Sequence, residues 1–338
     1  MNAKRWIALG IAVFLLVGST VISGLINFSK VKFSDAMVQV MGEESSLERT
    51  TVQEGKETSQ IAVLKVDGAI QDTGEASAFT GSKGYNHKQF LKQLDDVKKD
   101  TTVKGVVLYV NSPGGGVVES KQIYEKIKDI QKTRNIPIYT SMGSMAASGG
   151  YYISAPTDKI FIDEETLTGS IGVIMQSINY SKLADKYGVK FETIKTGPYK
   201  DIMSGSREMT EGDRKILQSM VDDSYQRFLK VVADGRNMPM EKVKKVADGR
   251  VYNGSQAVKV GLADEFGYTE DAIAAMKKEK GLTGSKVYEY STSDSITSLF
   301  ATKVQSLLGG GSVDAQMVQH ILSNAQNGPR LMYMYGEE

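Results

Sequence analysis

The stretch Val106-Val107-Leu108-Tyr109-Val110-Asn111-Ser112-Pro113-Gly114-Gly115-Gly116 decides the fold. Five consecutive apolar residues read as a strand buried on both faces. A turn and three glycines follow, and then Val118 to Ile130 places Ile123, Ile127 and Ile130 on one helical stripe. The same unit recurs on either side. Ile61-Ala62-Val63-Leu64-Lys65-Val66 is a strand closed by Asp67-Gly68, and His87 to Val97 is a helix with Phe90, Leu91, Leu94 and Val97 on one side. Ile136 to Thr140 and Lys159 to Ile162 read as strands, as do Ile171 to Met175 and Phe191 to Ile194. Lys182 to Tyr187 is helical. Thr210 opens a long helix to about Val232 with a Thr-x-x-Asp start completed by Asp213. Pro239 to Val246 and Thr269 to Lys278 are further helices. Short apolar strands alternating with helices predict an α/β protein with a largely parallel sheet covered by helices.

The chain has 338 residues with 41 Lys+Arg against 40 Asp+Glu. Nucleic-acid binding calls for a basic excess or stripe, and none is present. The absence of cysteine excludes disulfides, thiolate nucleophiles and cysteine-ligated metals. Two histidines, His87 and His320, leave no His-rich metal site. No cofactor is called for.

Lys4 and Arg5 precede an uncharged run from Trp6 to Phe28. As a helix this run spans roughly 34 Å, enough for a bilayer core of ~30 Å. The stretch Val21 to Ile26 offers no clean small-x-small cleavage site, so the run reads as an anchor, with a cleavable signal peptide as the rival reading. The positive residues ahead of it favour an N-inside orientation, which leaves the rest of the chain outside the cytoplasm. The expected organisation is a signal-anchor helix at 1–29, a polar stalk at 30–59, a folded domain at 60–282 and a C-terminal extension at 283–338. That extension is Ser- and Gly-rich and ends in the apolar strip Leu331-Met332-Tyr333-Met334-Tyr335. The strip suits a strand docking on its own or a neighbouring subunit, or a segment threaded into a peptide groove.

Three small-residue clusters follow strands, where ligands of α/β proteins gather. They are Asn111 to Gly116, Ser144 to Tyr152 and Thr168 to Ser170. The first lacks the Gly-Lys-Ser/Thr of a phosphate loop, because Val117-Val118 follows. It suits an ordinary turn or a set of amide donors for an oxyanion. The second packs small side chains around Ser148, ahead of a helix beginning at Gly149-Gly150. Ser148 there is either a helix cap or a nucleophile at the positive end of a helix dipole. A serine nucleophile needs a base. Neither histidine is well placed, and a desolvated lysine can serve. Spacing alone does not choose among the lysines.

Taken together, Ser-Pro-Gly-Gly-Gly at 112–116, Gly-Ser-Met-Ala-Ala-Ser-Gly-Gly-Tyr-Tyr at 143–152, Leu-Thr-Gly-Ser-Ile-Gly-Val at 167–173 and Tyr-Lys-Asp-Ile-Met-Ser at 199–204 resemble the bacterial signal peptide peptidase A family. Gly-Arg-Val-Tyr at 249–252 and Gly-Leu-Ala-Asp at 261–264 extend the likeness over roughly residues 60–270. The resemblance implies the crotonase/Clp-protease fold and a Ser–Lys dyad, with Ser148 as nucleophile and Lys200 as general base. It implies Ser170 as the hydroxyl that holds the lysine, and Gly114 and Gly115 as the oxyanion loop. Gly205 departs from the family, which often carries proline there. Met145, Ile174 and Met203 flank the motifs as pocket or core residues.

The resemblance further implies a bacterial single-pass membrane protein with its catalytic domain outside the cytoplasm. It would be anchored in the bilayer by residues 6–28 and would act on peptides such as remnant signal peptides. In single-length relatives a ring, of eight subunits, joins Ser and Lys from neighbouring copies. Two other readings stand beside this one: a crotonase-type acyl-CoA enzyme, which would want carboxylates in the cleft, and an inactive membrane scaffold.

Overall fold

The computed structural model describes residues 47–72, 85–290 and 331–335. The anchor expected at residues 6–28 lies outside them, and no described helix is long and apolar enough to cross a membrane.

The centre of the sheet is built from β2 (Lys56–Asp67), β3 (Val103–Ser112) and β5 (Ile138–Ala147), all parallel. On one side, β6 (Lys159–Ile162) and β9 (Glu265–Phe266) continue the parallel order. On the other, β10 (Ser285–Tyr290) pairs parallel with β2, and β1 (Arg49–Gln53) closes the edge antiparallel to β10. A short branch leaves the upper half of β5, where β7 (Leu167–Gly169) pairs parallel with β5 and β8 (Val251–Tyr252) pairs antiparallel with β7. The sheet is therefore mixed, with its parallel strands in the middle.

Alternation along the strands sends side chains into two cores. On one face, Ala62, Leu64 and Val66 of β2 and Val106, Leu108 and Val110 of β3 pack under two helices. These are α1 (His87–Lys99), through Phe90, Leu94 and Val97, and α2 (Val117–Arg134), through Ile123, Ile127 and Ile130. On the other face, Ile61, Val63 and Val107 meet Ala272, Ile273 and Met276 of a helix at Thr269–Glu279. Burial on both faces explains why these strands read as continuous apolar runs.

The boundaries differ from those expected. Of the residues read as stalk, Arg49–Gln53 form β1 and β2 already starts at Lys56. Residues 285–290, read as extension, form a strand two places from the middle of the sheet. The strand expected at Phe191 to Ile194 has no regular structure, and that at Ile171 to Met175 is reduced to one bridge at Ile174.

Candidate active site

At its carboxyl end β5 runs into Ser148 and then into α3 (Gly149–Ser154). The turn is abrupt. Ser148 has φ 52° and ψ −112°, and Ser170 has φ 47°. Such backbone costs on the order of 1–3 kcal/mol per residue and persists only where the surroundings impose it. Here they do. The Ser148 amide donates to the Gly169 carbonyl at 2.8 Å, and the Ser170 amide donates to the Arg250 carbonyl at 2.8 Å. β7 thus braces the turn, while the Tyr152 amide donates back to the Ser148 carbonyl at 2.8 Å. Ser148 caps no helix amide with its hydroxyl, so the simple capping role is absent. Neighbouring glycines are demanded by space. A Cβ on Gly149 would stand 2.7 Å from Ser120 Oγ and 3.1 Å from the Gly115 nitrogen.

The loop after β3 lies against this turn. β4 (Gly114–Gly116) leads into α2, with Gly114 at φ 103°. The Gly114 amide donates to Ser112 Oγ at 3.1 Å, and its carbonyl accepts from the Ile70 amide at 2.7 Å. The amide of Gly149 is the first of α3, and a first-turn amide has no carbonyl acceptor within its own helix.

The apolar strip of the tail settles in this place. β11 (Met332–Met334) pairs antiparallel with β4, with Tyr333 opposite Gly115 and Met334 opposite Gly114. The Tyr335 amide donates to Pro113 O at 2.8 Å, and the Val117 amide donates to Leu331 O at 3.4 Å. Antiparallel pairing alternates, so Tyr333 and Gly115 form the hydrogen-bonded pair between these two. On its other edge, Met332 exchanges two backbone hydrogen bonds with Ile174, at 3.0 and 3.1 Å. The strip thus lies between β4 and the bridge residue Ile174. A Cβ on Gly114 would fall 2.0 Å from Tyr333 O and 2.6 Å from the Gly149 nitrogen, so both crowd the same side of Gly114.

The Tyr333 side chain is 1% exposed. It stacks on Tyr152 at 4.9 Å between ring centres and tilts against Phe228 at 4.7 Å, and its hydroxyl donates to the Ser224 carbonyl at 3.2 Å. Burial among these rings pushes its phenol above the ordinary tyrosine range. Ser224 and Phe228 belong to α5 (Glu211–Gly235) and were not foreseen from sequence.

Of the residues singled out in the sequence, the structure brings together Ser148, Ser170, Gly114 and Gly115, and it places Ile174 against the same strand. Met145 lies on β5, paired with Leu167, and its amide donates to Asn111 Oδ1 at 3.2 Å. Lys200 lies in a turn-rich loop where its amide donates to Gly197 O at 3.3 Å. Met203, at φ 63° and nearly buried, shares that loop. The Lys200 side chain is exposed and makes no hydrogen bond or ion pair among the described residues. Asp201, Lys195, Arg207 and Asp213 make an ion-pair chain beside it. The segment before it, which includes α4 (Ser181–Lys186), exposes Ile178, Leu183, Tyr187 and Ile194.

A strained serine between a parallel strand and a helix start, beside a glycine strand that pairs with an extended peptide, fits a serine peptidase, and the comparisons with known proteins give that class. The Clp protease model matches residues 80–165, and the peptidase family S49 model matches residues 130–283. A protein of Enterococcus faecium, provisionally named signal peptide peptidase SppA, is 42% identical over 344 residues, 99% of this chain and 99% of its own. Protease 4 of Haemophilus influenzae is 36% identical over 215 residues, 64% of this chain and 34% of that protein. The chloroplastic serine protease SPPA of Arabidopsis thaliana is 31% identical over 228 residues, 67% of this chain and 33% of its own. The chain belongs to peptidase family S49.

Proposed function

We propose that the chain is a membrane-anchored endopeptidase that cuts extended peptides laid between Gly114–Gly116 and Ile174, with Ser148 as nucleophile and Lys200 as base. The observation that carries this reading is the tail strand itself, which lies across β4 beside Ser148 as a substrate would.

In the reaction, uncharged Lys200 accepts the Ser148 hydroxyl proton as Oγ bonds to the peptide carbonyl carbon. The carbonyl oxygen becomes an oxyanion facing the amides of Gly115 and Gly149. Backbone donors fixed in advance lower the barrier most at this point. Gly114 serves differently from the expectation drawn from sequence: its amide is taken by Ser112 Oγ, and its missing side chain is what admits the carbonyl. The C–N bond breaks, Lys200 returns the proton to the leaving amine, and an ester to Ser148 remains. Water, deprotonated through the same lysine, hydrolyses it. Ser170 is the hydroxyl that steadies the amine.

The Lys200 side chain has no partner among the described residues, and the segment leading to it exposes large apolar residues. Both features support a ring in which one copy's lysine serves its neighbour's serine. The apolar span at residues 6–28 supports a bilayer anchor, and the name of the Enterococcus relative supports remnant signal peptides as substrates. Mass mapping after treatment with a fluorophosphonate tests the nucleophile: the adduct is expected on Ser148. Peptide cleavage without that adduct, or an adduct elsewhere, overturns the reading.

A further inference from the structure

We infer that Arg207 is a positioning residue for the base: its guanidinium draws the Asp201 carboxylate away from the Lys200 amine and ties their shared loop to the start of α5. This rests on the reading of Lys200 as the base.

The carboxylate nearest to Lys200 in sequence is that of the next residue. Left free, it would be a natural partner for the ammonium. Instead, Asp201 Oδ1 accepts from Arg207 Nη2 at 2.8 Å, and both its oxygens accept from Lys195 Nζ, at 2.8 and 2.9 Å. These two cations hold the Asp201 carboxyl well below the usual carboxylate range. Arg207 continues to Asp213, with Nη1 to Oδ2 at 2.6 Å and Nη2 to Oδ1 at 3.2 Å.

Asp213 is fully buried and is itself fixed. It closes the capping box of α5, accepting from the Thr210 amide at 2.9 Å while its own amide donates to Thr210 Oγ1 at 3.1 Å. α5 is held in the core by Phe228, Leu229 and Val232. An unbroken chain of contacts therefore runs from the core through Asp213 and Arg207 to the residue beside the lysine. Glu208 pairs with Lys182 of α4 at 3.2 Å, while Glu211 and Arg214 open α5.

The consequence is chemical. A base must spend time without its proton, and a carboxylate within about 4–6 Å moves the pH at which an amine gives up its proton upward by roughly 1 to 3. Arg207 and Lys195 together occupy the Asp201 carboxylate, so it is not left to pair with the amine. A purely mechanical anchor would slow the reaction at every pH alike.

The test uses the full chain in its assembled form. The rate of Ser148 labelling by a fluorophosphonate is followed against pH in the wild type, Arg207→Met, Arg207→Lys, Asp201→Asn and the double variant Arg207→Met/Asp201→Asn. For Arg207→Met, half-maximal labelling should move up by about one pH unit. Arg207→Lys should recover most of that displacement, and the double variant should return to the wild-type pH or below it. An unmoved profile in Arg207→Met, or a displacement that Asp201→Asn does not reverse, overturns the inference. If Arg207→Met fails to assemble, Asp201→Asn alone decides, since a profile displaced upward by loss of that carboxylate contradicts the proposal. Lys200→Ala separates the two readings: if it labels as the wild type does, with the same profile, then the lysine base is wrong and not merely its positioning.

Discussion

Tyr333 faces Gly115 as a hydrogen-bonded pair of an antiparallel ladder, with its carbonyl oxygen pressed against the bare α-carbon of Gly114. A side chain on Gly114 would occupy the place of that oxygen. Its φ of 103° also disfavours any other residue. Gly114→Ala is expected to lower kcat/KM for peptides on the order of a hundredfold or more, the scale of a lost oxyanion contact. Steady-state cleavage, with circular dichroism to show an intact fold, checks this. Near-normal turnover would mean that substrates lie elsewhere.

Ser148→Ala and Lys200→Ala should each abolish cleavage while leaving the assembly at its wild-type mass. Sedimentation velocity and a peptide-turnover assay make the comparison. Full activity in either variant removes that residue from the chemistry.

Cleavage should rise with pH, because a lysine base works only after losing its proton. The acylation rate, measured by single turnover, should climb across the neutral to alkaline range. A flat profile down to pH 5, with chemistry rate-limiting, is incompatible with an amine base.

If substrates take the groove proposed above, the docked tail occupies it and, tethered to the same chain, should compete at high effective concentration. Tyr333→Ala removes the ring buried between Tyr152 and Phe228. Losing a buried aromatic costs about 3–5 kcal/mol in a core, comparable with what the strip's backbone ladder supplies. This variant, or a chain ending at residue 330, should label faster with a fluorophosphonate and turn over peptides faster. Equal rates, with an unchanged terminal mass in the full chain, would show that the tail leaves the site accessible.

Thr210 and Asp213 cap α5 reciprocally, so Thr210→Ala should lower stability by about 1 kcal/mol at neutral pH. The Arg207 guanidinium and the Thr210 amide hold the Asp213 carboxyl well below its ordinary range. For a carboxyl depressed by folding, the stabilisation is complete above the unfolded value, near 4, and fades as pH falls below it. The deficit of Asp213→Asn relative to the wild type should therefore be present at pH 6 and shrink toward pH 3. Urea denaturation at both values checks it, and a deficit independent of pH would contradict the assignment.

Strands at Ile61–Val66, Val106–Val110 and Ile136–Thr140 were legible because both faces are buried and leave apolar runs. β1 was not: all of its residues are exposed, so Arg49-Thr50-Thr51-Val52-Gln53 has the composition of a linker. β10, as Lys286-Val287-Tyr288-Glu289-Tyr290, has no clean period of two and lies among polar residues that read as the beginning of a tail. Phe191 to Ile194 has a strand's composition without a partner strand among the described residues. In the site, the serine and the glycines announced themselves through small residues in sequence. The ring pocket did not, since Tyr152, Ser224 and Phe228 meet only through packing. Nor did Arg207, whose charges look in sequence like an ordinary solvated surface.

Both walls of the groove are main chain, Gly114–Gly116 on one side and Ile174 on the other, and the occupant's amides and carbonyls alternate between them. A proline in the place of Tyr333 would have no amide to give and should be refused there. A helix or a folded domain offers no unpaired edge to both sides at once. Under the proposed function, such a groove admits only polypeptide that has already come undone, which would spare intact proteins around it without any need to recognise them.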